Sequence, residues 1–230
     1  MQTYTLFKPA LRRSLRSVFF QRKFTFIFFL VFGLLTAWVM FSVELPLLMG
    51  WNPLWENKID PYRMILHVHA VAGSIALLVA PIQFLLPLRD LRPRLHRLIG
   101  RVYALAIGIA APLAFWIAYF YMSPGERGAA CIQAVLWFAT TLAAVLTAIR
   151  AQFAAHRAWI MRSYALTASF VLSRLLIDVL HLPVNQVWGG ATGFIVFSTV
   201  FVWLCADLVR CWPQFSSFFR SKFGAQLRGN

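Results

Sequence analysis

The chain has 230 residues, of which 60% are apolar and 13% charged, and its mean hydropathy is +0.70. That balance excludes both a water-soluble domain and a disordered chain, because neither carries so much apolar surface with so little charge. The formal net charge of +15 raises nucleic acid as a partner, and only the placement of the basic residues decides that question.

Taken in order, residues 1–23 form a basic tail with Lys8, Arg12, Arg13, Arg16, Arg22 and Lys23. It is too long and too basic for a signal peptide and no small-residue cleavage site follows it, so it is expected to stay attached. About 20 apolar residues cross a ~30 Å hydrocarbon core as a helix, and six runs reach that length. The first, Phe24 to Leu48, carries Glu44 near its end. A connection from Gly50 to Arg63, with Trp51, Pro53, Trp55 and Tyr62, reads as an interfacial segment of the aromatic belt. The second run, Met64 to Leu88, holds His67, His69, Gly73, Pro81, Gln83 and Pro87. The third, Leu98 to Met122, contains Pro112, and the fourth, Cys131 to Ile149, contains Gln133, Thr140 and Thr141. Arg174 and Asp178 lie within the fifth, Ala158 to Leu180. The sixth, Ala191 to Cys211, ends on Asp207 and Arg210, expected as an exposed i,i+3 pair, and residues 212–230 form a second basic tail. Long continuous runs favour helices over a barrel, whose strands alternate in polarity. The expected fold is therefore all-α, a polytopic membrane bundle of six transmembrane helices in residues 24–211, and no linker divides it.

Eighteen of the 22 Lys and Arg residues fall in the two tails and in the second and fourth connections, which include Arg89, Arg92, Arg94, Arg97, Arg101, Arg150, Arg157 and Arg162. Lys58, Arg63 and Arg127 lie on the other side, and Arg174 lies inside a span. This bias places the basic side and both termini in the cytoplasm. Anionic lipid headgroups, not nucleic acid, are then the partner of the charge.

The five histidines sort by depth. His67 and His69 are about one turn inside the outer end of span two and His181 is at the outer end of span five, whereas His96 and His156 are at cytoplasmic ends. Two positions apart on a helix means about 200°, so only one of His67 and His69 can face the bundle; His69 is favoured because Gly73 follows one turn on. Arg174 and Asp178 share a helix face as partners, since a charge within a span needs one. Glu44, His69, Arg174, Asp178 and His181 together suggest an outer polar pocket for a haem, a quinone headgroup or another small anionic ligand. Imidazoles at matched depth on different helices suit axial ligation of haem iron, which makes His69, His96 and His156 candidates, with Arg97, Arg101, Arg157 and Arg162 available to propionates or lipid phosphates. Gln83, Gln133, Thr140 and Thr141 read as interhelical hydrogen bonds. Cys131, Cys205 and Cys211 have no ligand-like spacing and read as packing residues. HExxH, GxSxG and Walker A motifs are missing, which removes support from hydrolase and nucleotide-driven readings.

Two segments match internally: His96, Arg97 and then Arg101 before Tyr103-Ala104-Leu105, and His156, Arg157 and then Arg162 before Tyr164-Ala165-Leu166. They suggest a repeated helical hairpin. The segments HAVAG (His69 to Gly73), LHRLIGRVY (Leu95 to Tyr103) and HRAWIMRSYALT (His156 to Thr167) together resemble an uncharacterised bacterial membrane family, domain-of-unknown-function family twenty-three-oh-six, over about Leu66 to Leu180. The resemblance implies a multi-pass inner-membrane protein with His69, His96, Arg97, Gly100, Arg101, His156, Trp159, Arg162 and Arg174 as motif positions, and brings no activity with it. At fold level the layered histidines are similar to membrane b-type cytochromes. The expected function is a redox bundle binding haem b or a quinone and meeting a redox partner; the alternative is an accessory subunit or a small-molecule permease.

The topology is testable with cysteines. In a background with Cys131, Cys205 and Cys211 changed to Ser, a membrane-impermeant maleimide applied to intact cells should label Asn57→Cys and leave Arg94→Cys unlabelled; the reverse pattern overturns the orientation.

Overall fold

The computed structural model describes residues 31–51, 60–83, 91–183 and 187–226, with the side chains of 43, 44, 47, 48, 178, 179 and 212–226 excepted. Among the described residues there are helices and no strand. Helix α1 covers residues 31–48 and passes through a π-helical stretch at Met40–Glu44 before a last α-turn at Leu45–Leu48. A 3-10 turn, Asp60–Tyr62, leads into α2, Arg63–Gln83. Then come α3, Pro93–Tyr121, α4, Pro124–Ile149, and α5, Phe153–Arg174, which runs on into a π-helical stretch at Leu175–Val179. The last helix is α6, Ala191–Gln226.

Five of these helices are long and apolar enough to cross a membrane. The described apolar part of α1, Val31–Ser42, is shorter, because residues 24–30 of the first expected span lie outside the described residues. The basic end of the bundle holds the α2–α3 and α4–α5 connections with Arg92, Arg94, Arg97, Arg150 and Arg157; the opposite end holds the α3–α4 connection. Helices α3 and α4 start well before their apolar runs at Leu98 and Cys131. Hydropathy registers only the apolar core of a helix, whereas proline at the first helical position starts one, as Pro93 and Pro124 do here. At the other extreme, α6 continues to Gln226, so helical backbone extends into the basic tail expected to begin at residue 212.

Sequential helices pack on one another, most extensively α2 on α3. Small side chains allow it. Ala76, Leu77 and Ala80 of α2 join Ala106, Ile107 and Ala111 of α3 in one buried cluster with Val39, Tyr103, Tyr164 and Val171. In lipid there is no hydrophobic drive between helices, and close approach of backbones at small residues supplies the van der Waals contact instead. Pro81 and Pro112 sit inside α2 and α3. Lacking an N–H, each leaves the carbonyl four residues back, at Leu77 and Gly108, without that helix bond. The large apolar side chains that remain exposed, such as Leu34, Leu78, Leu105, Ile132, Leu146 and Leu204, point away from this core and contact the bilayer.

The repeated segments sit at the starts of α3 and α5, on the basic end, and each follows its partner helix as a hairpin. Their tyrosines have different surroundings. Tyr103 is 1% exposed and hydrogen bonded within the bundle, whereas Tyr164 meets Phe32 of α1 edge to face at 6.0 Å. At the opposite end, Tyr62 and Tyr121 stack at 4.5 Å, and Arg63 pairs with Asp60 at 2.8 Å. Residues 52–59 and Pro87, also read from the sequence, lie outside the described residues.

The turn into α6 depends on glycine. Gly189 and Gly190 have φ of 67° and 100°, in the left-handed region that side chains disfavour. Trp188 folds back over α6, 5.3 Å from the ring of Phe194 and 5.1 Å from that of Phe197, and its carbonyl oxygen occupies the space where a Cβ on Gly193 would stand. Gly193→Ala is therefore expected to cost about 1–3 kcal/mol by overpacking, read as a lower melting temperature in detergent.

Candidate functional site

Toward the opposite end, all six helices border one cavity of about 530 Å³. Its wall is mostly apolar and small: Ala70 and Gly73 of α2, Ala114 and Ala118 of α3, and Ala130 and Ala134 of α4 contribute. Gly73 has nothing within 4 Å of where a Cβ would stand, so its lack of a side chain is what leaves room there. Met40 and Ile177 also line the cavity, and both belong to the π-helical stretches of α1 and α5. Such single-turn widenings recur at functional sites.

The polar groups on this wall converge from several helices. His69 donates its Nδ1–H to the carbonyl oxygen of Ala110 on α3, at 2.9 Å. A carbonyl oxygen only accepts, so the hydrogen must be on Nδ1 and the neutral ring keeps its lone pair on Nε2. The Trp137 ring stands edge-on to His69 at 6.4 Å. From α5, Arg174 lines the cavity together with Thr167, Ser169 and Ser173, and its guanidinium lies 5.3 Å from the Phe170 ring. Among the described lining residues Arg174 is the sole charged side chain and there is no carboxylate.

Beneath the cavity, on the side toward the basic end, lies a buried cluster of hydroxyls. Tyr103 Oη is 2.7 Å from Ser163 Oγ and 3.0 Å from Thr167 Oγ1. Ser163 Oγ is in turn 2.7 Å from Thr141 Oγ1. Trp137 donates its Nε1–H to Thr167 at 2.9 Å. Helices α3, α4 and α5 are thereby joined through side chains that water does not reach.

The positions singled out from the sequence separate into three sets. His69 and Arg174, two of the five residues of the expected outer pocket, share the cavity. His181 does not line it: its φ of 48° ends the π-helical stretch of α5, and the side chain is exposed. The side chains of Glu44 and Asp178 lie outside the described residues, and their backbones fall in the two π-helical stretches. His67 turns back on its own helix, to the Arg63 carbonyl at 2.6 Å, which leaves His69 as the one that reaches across the bundle.

On the basic end, His156 donates its Nδ1–H to the Ala144 carbonyl of α4 at 2.8 Å. Gln83 donates to the His96 carbonyl at 2.9 Å, and its side chain packs 3.6 Å from where a Cβ on Gly100 would stand. Neither His96 nor His156 lines the cavity, and each is engaged within its own hairpin. Arg97, Arg101 and Arg157 are exposed. Arg162 is engaged with protein: its Nε and Nη2 donate to the two oxygens of Asp207 on α6, both at 3.0 Å, and it lies over the rings of Trp159 and Trp203 at 4.8 and 5.3 Å. The expected i,i+3 pair of Asp207 with Arg210 does form, but it is the longer of the two pairs that Asp207 makes. Arg210 stands at 3.6 Å, while the short bonds go to a residue 45 positions earlier in sequence, which no spacing rule connects.

Gln83, Gln133 and Thr141 make interhelical bonds as expected, Gln133 reaching Ser169 at 3.4 Å. Thr140 differs: it donates to carbonyls of its own helix, at Leu136 and Trp137. The three cysteines are unpaired and half-buried. Among the described residues no three His, Cys, Asp or Glu side chains come together as a metal-binding group. Tyr103, Trp137, Thr167, Ser169, Ser173 and Ser198 are not among the expected site residues; the signal available for the α5 hydroxyls is their recurrence at helical spacing within an apolar run.

A bundle of membrane-spanning helices around a mainly apolar cavity, with one imidazole and one guanidinium on its wall, defines an integral membrane protein with an internal site of small-molecule size. The chain belongs to the family described as predicted membrane protein (DUF2306), which matches residues 66–209, more than half of its length and most of α2 to α6. No curated protein and no solved structure matches it.

The hydroxyl cluster makes a prediction of its own. Tyr103→Phe leaves Ser163 and Thr167 each short of a partner in a dry interior, and is expected to cost about 1–3 kcal/mol. Thermal unfolding in detergent checks this; an unchanged melting temperature would mean that the cluster does not hold α3 to α5.

Proposed function

We propose that this protein binds a small amphiphile of the quinone class in the six-helix cavity and serves electron transfer in the bacterial inner membrane. The observation that carries the reading is the meeting of His69 and Arg174 on the wall of an otherwise apolar cavity of about 530 Å³. A flat ring fits against Gly73 and the alanines, its polar oxygens lie between imidazole and guanidinium, and the rest of the molecule stays in an apolar setting. With the basic end in the cytoplasm, the cavity lies in the outer half of the membrane. Arg92, Arg94, Arg97, Arg150 and Arg157 then face anionic lipid headgroups on the inner side.

A second reading, haem b, is favoured by one specific observation. His69 and His156 each donate Nδ1–H to a carbonyl of a neighbouring helix, the arrangement that orients a metal-ligating imidazole and points its Nε2 lone pair outward. In that reading His69 would hold the iron in the cavity and Arg174 would pair with a propionate.

The two separate experimentally. Purified protein titrated with menadione should bind it, and Gly73→Leu, which fills the cavity from a position with open space around it, should weaken binding more than tenfold with little change in melting temperature. A reduced-minus-oxidised spectrum with a Soret band that shifts in His69→Ala would replace quinone by haem. A protein that binds menadione in neither redox state and has no such band returns to the accessory-subunit or permease alternative.

A further inference from the structure

We propose that the cavity selects the reduced, hydroxyl-bearing form of its ligand, a quinol, over the quinone; the inference rests on the quinone-class reading above. It follows from where the hydrogens on the wall are directed. A hydroxyl has one hydrogen and two lone pairs. Ser169 donates its hydrogen to the Leu166 carbonyl at 2.6 Å, Ser173 to that of Phe170 at 2.7 Å and Ser198 to that of Ile195 at 3.0 Å. Thr167 differs: it donates to the Ser163 carbonyl at 3.0 Å and accepts from Trp137 at 2.9 Å, with the Tyr103 oxygen at 3.0 Å, so it is satisfied within the protein. The hydrogens of the three serine hydroxyls are therefore held by backbone carbonyls, and their oxygens are left as acceptors on the cavity wall.

The nitrogens extend the pattern. His69 directs its Nδ1–H to Ala110 and as a neutral ring offers a lone pair. The donor Trp137 is directed at Thr167, and Gln133 at Ser169. A wall so rich in acceptors suits a ligand that brings its own O–H or N–H groups, because a buried acceptor without a donor loses the hydrogen bond it had with water. The positive charge of Arg174 opposes an ammonium group in the same space. Neutral hydroxyls on an apolar frame remain, and the two phenolic O–H groups of a quinol meet that description. A quinone brings two carbonyl acceptors, which find donors in the Arg174 guanidinium and the Gln133 amide but leave the serine and His69 acceptors without partners.

The test uses the full-length protein in lipid nanodiscs with two probes, menadione and menadiol, the latter kept reduced under anaerobic conditions, and calorimetric titration of each. Menadiol is expected to bind at least tenfold tighter, equivalent to raising the potential of the bound two-electron couple by about 30 mV. His69→Leu and Ser173→Ala should narrow the gap chiefly by weakening menadiol; the serine variant removes only one oxygen, so it keeps the test open if the histidine variant does not fold. Menadione binding as tightly as menadiol, or tighter, overturns the selectivity and leaves the quinone-class reading standing. Failure of both probes to bind overturns both.

Discussion

Inside a bilayer no polar group can turn to water, and the hydroxyl of Tyr103 shows how this chain meets that demand. It sits where α3, α4 and α5 converge, bonded to Ser163 and Thr167, with Thr141 and Trp137 completing the set. An unsatisfied polar group there would cost several kcal/mol, so every member depends on the others for its place. The three helices are locked in rotation as a consequence. That rotation directs Trp137 and Thr167 into the cavity and, one to two turns further along α5, Ser173 and Arg174 as well.

Alanine packing sets the other half of the frame. The close contact of α2 with α3 at Ala76, Ala80, Ala106 and Ala111 brings His69 within reach of the Ala110 carbonyl. The imidazole is thereby held in one tautomer. Toward the opposite end the helices no longer close: π-helical stretches in α1 and α5 and the bare Cα of Gly73 leave the space that becomes the cavity. On the basic end the same helices are pinned by Arg162 and Asp207, whose two parallel N–H···O bonds tie α5 to α6. The bundle is thus tight at one end and open toward the other, and the polar side chains of the open part come from α2, α4, α5 and α6.

Much of this was legible in the sequence for a simple reason: apolar runs and basic connections are properties of contiguous residues. The helices, their order and the depth of each histidine follow from them, and depth alone brought His69 together with Arg174. The choice of His69 over His67 followed from helical periodicity and agrees with their bonds to Ala110 and Arg63. Periodicity fails where the helix changes type. His181 was placed at the end of a regular span, whereas the π-helical stretch and a left-handed backbone turn it outward.

What the sequence by itself determined is the solvent of this protein: a lipid bilayer, helices to cross it, and a sidedness of charge. Tertiary structure alone decided which polar residues meet. Ser163, Thr167 and Ser169 read in sequence as minor polar residues within a span, yet rotation of α5 against α3 and α4 puts Ser163 and Thr167 in one buried network and Thr167 and Ser169 on the wall of a cavity. Asp207 keeps the pair with its neighbour Arg210 that spacing suggests, and packing of α6 against α5 adds the shorter one with Arg162. Hydrogen-bond direction is likewise a matter of geometry. Whether a hydroxyl presents a hydrogen or a lone pair to the cavity depends on which carbonyl lies behind it, and no string of residues records that.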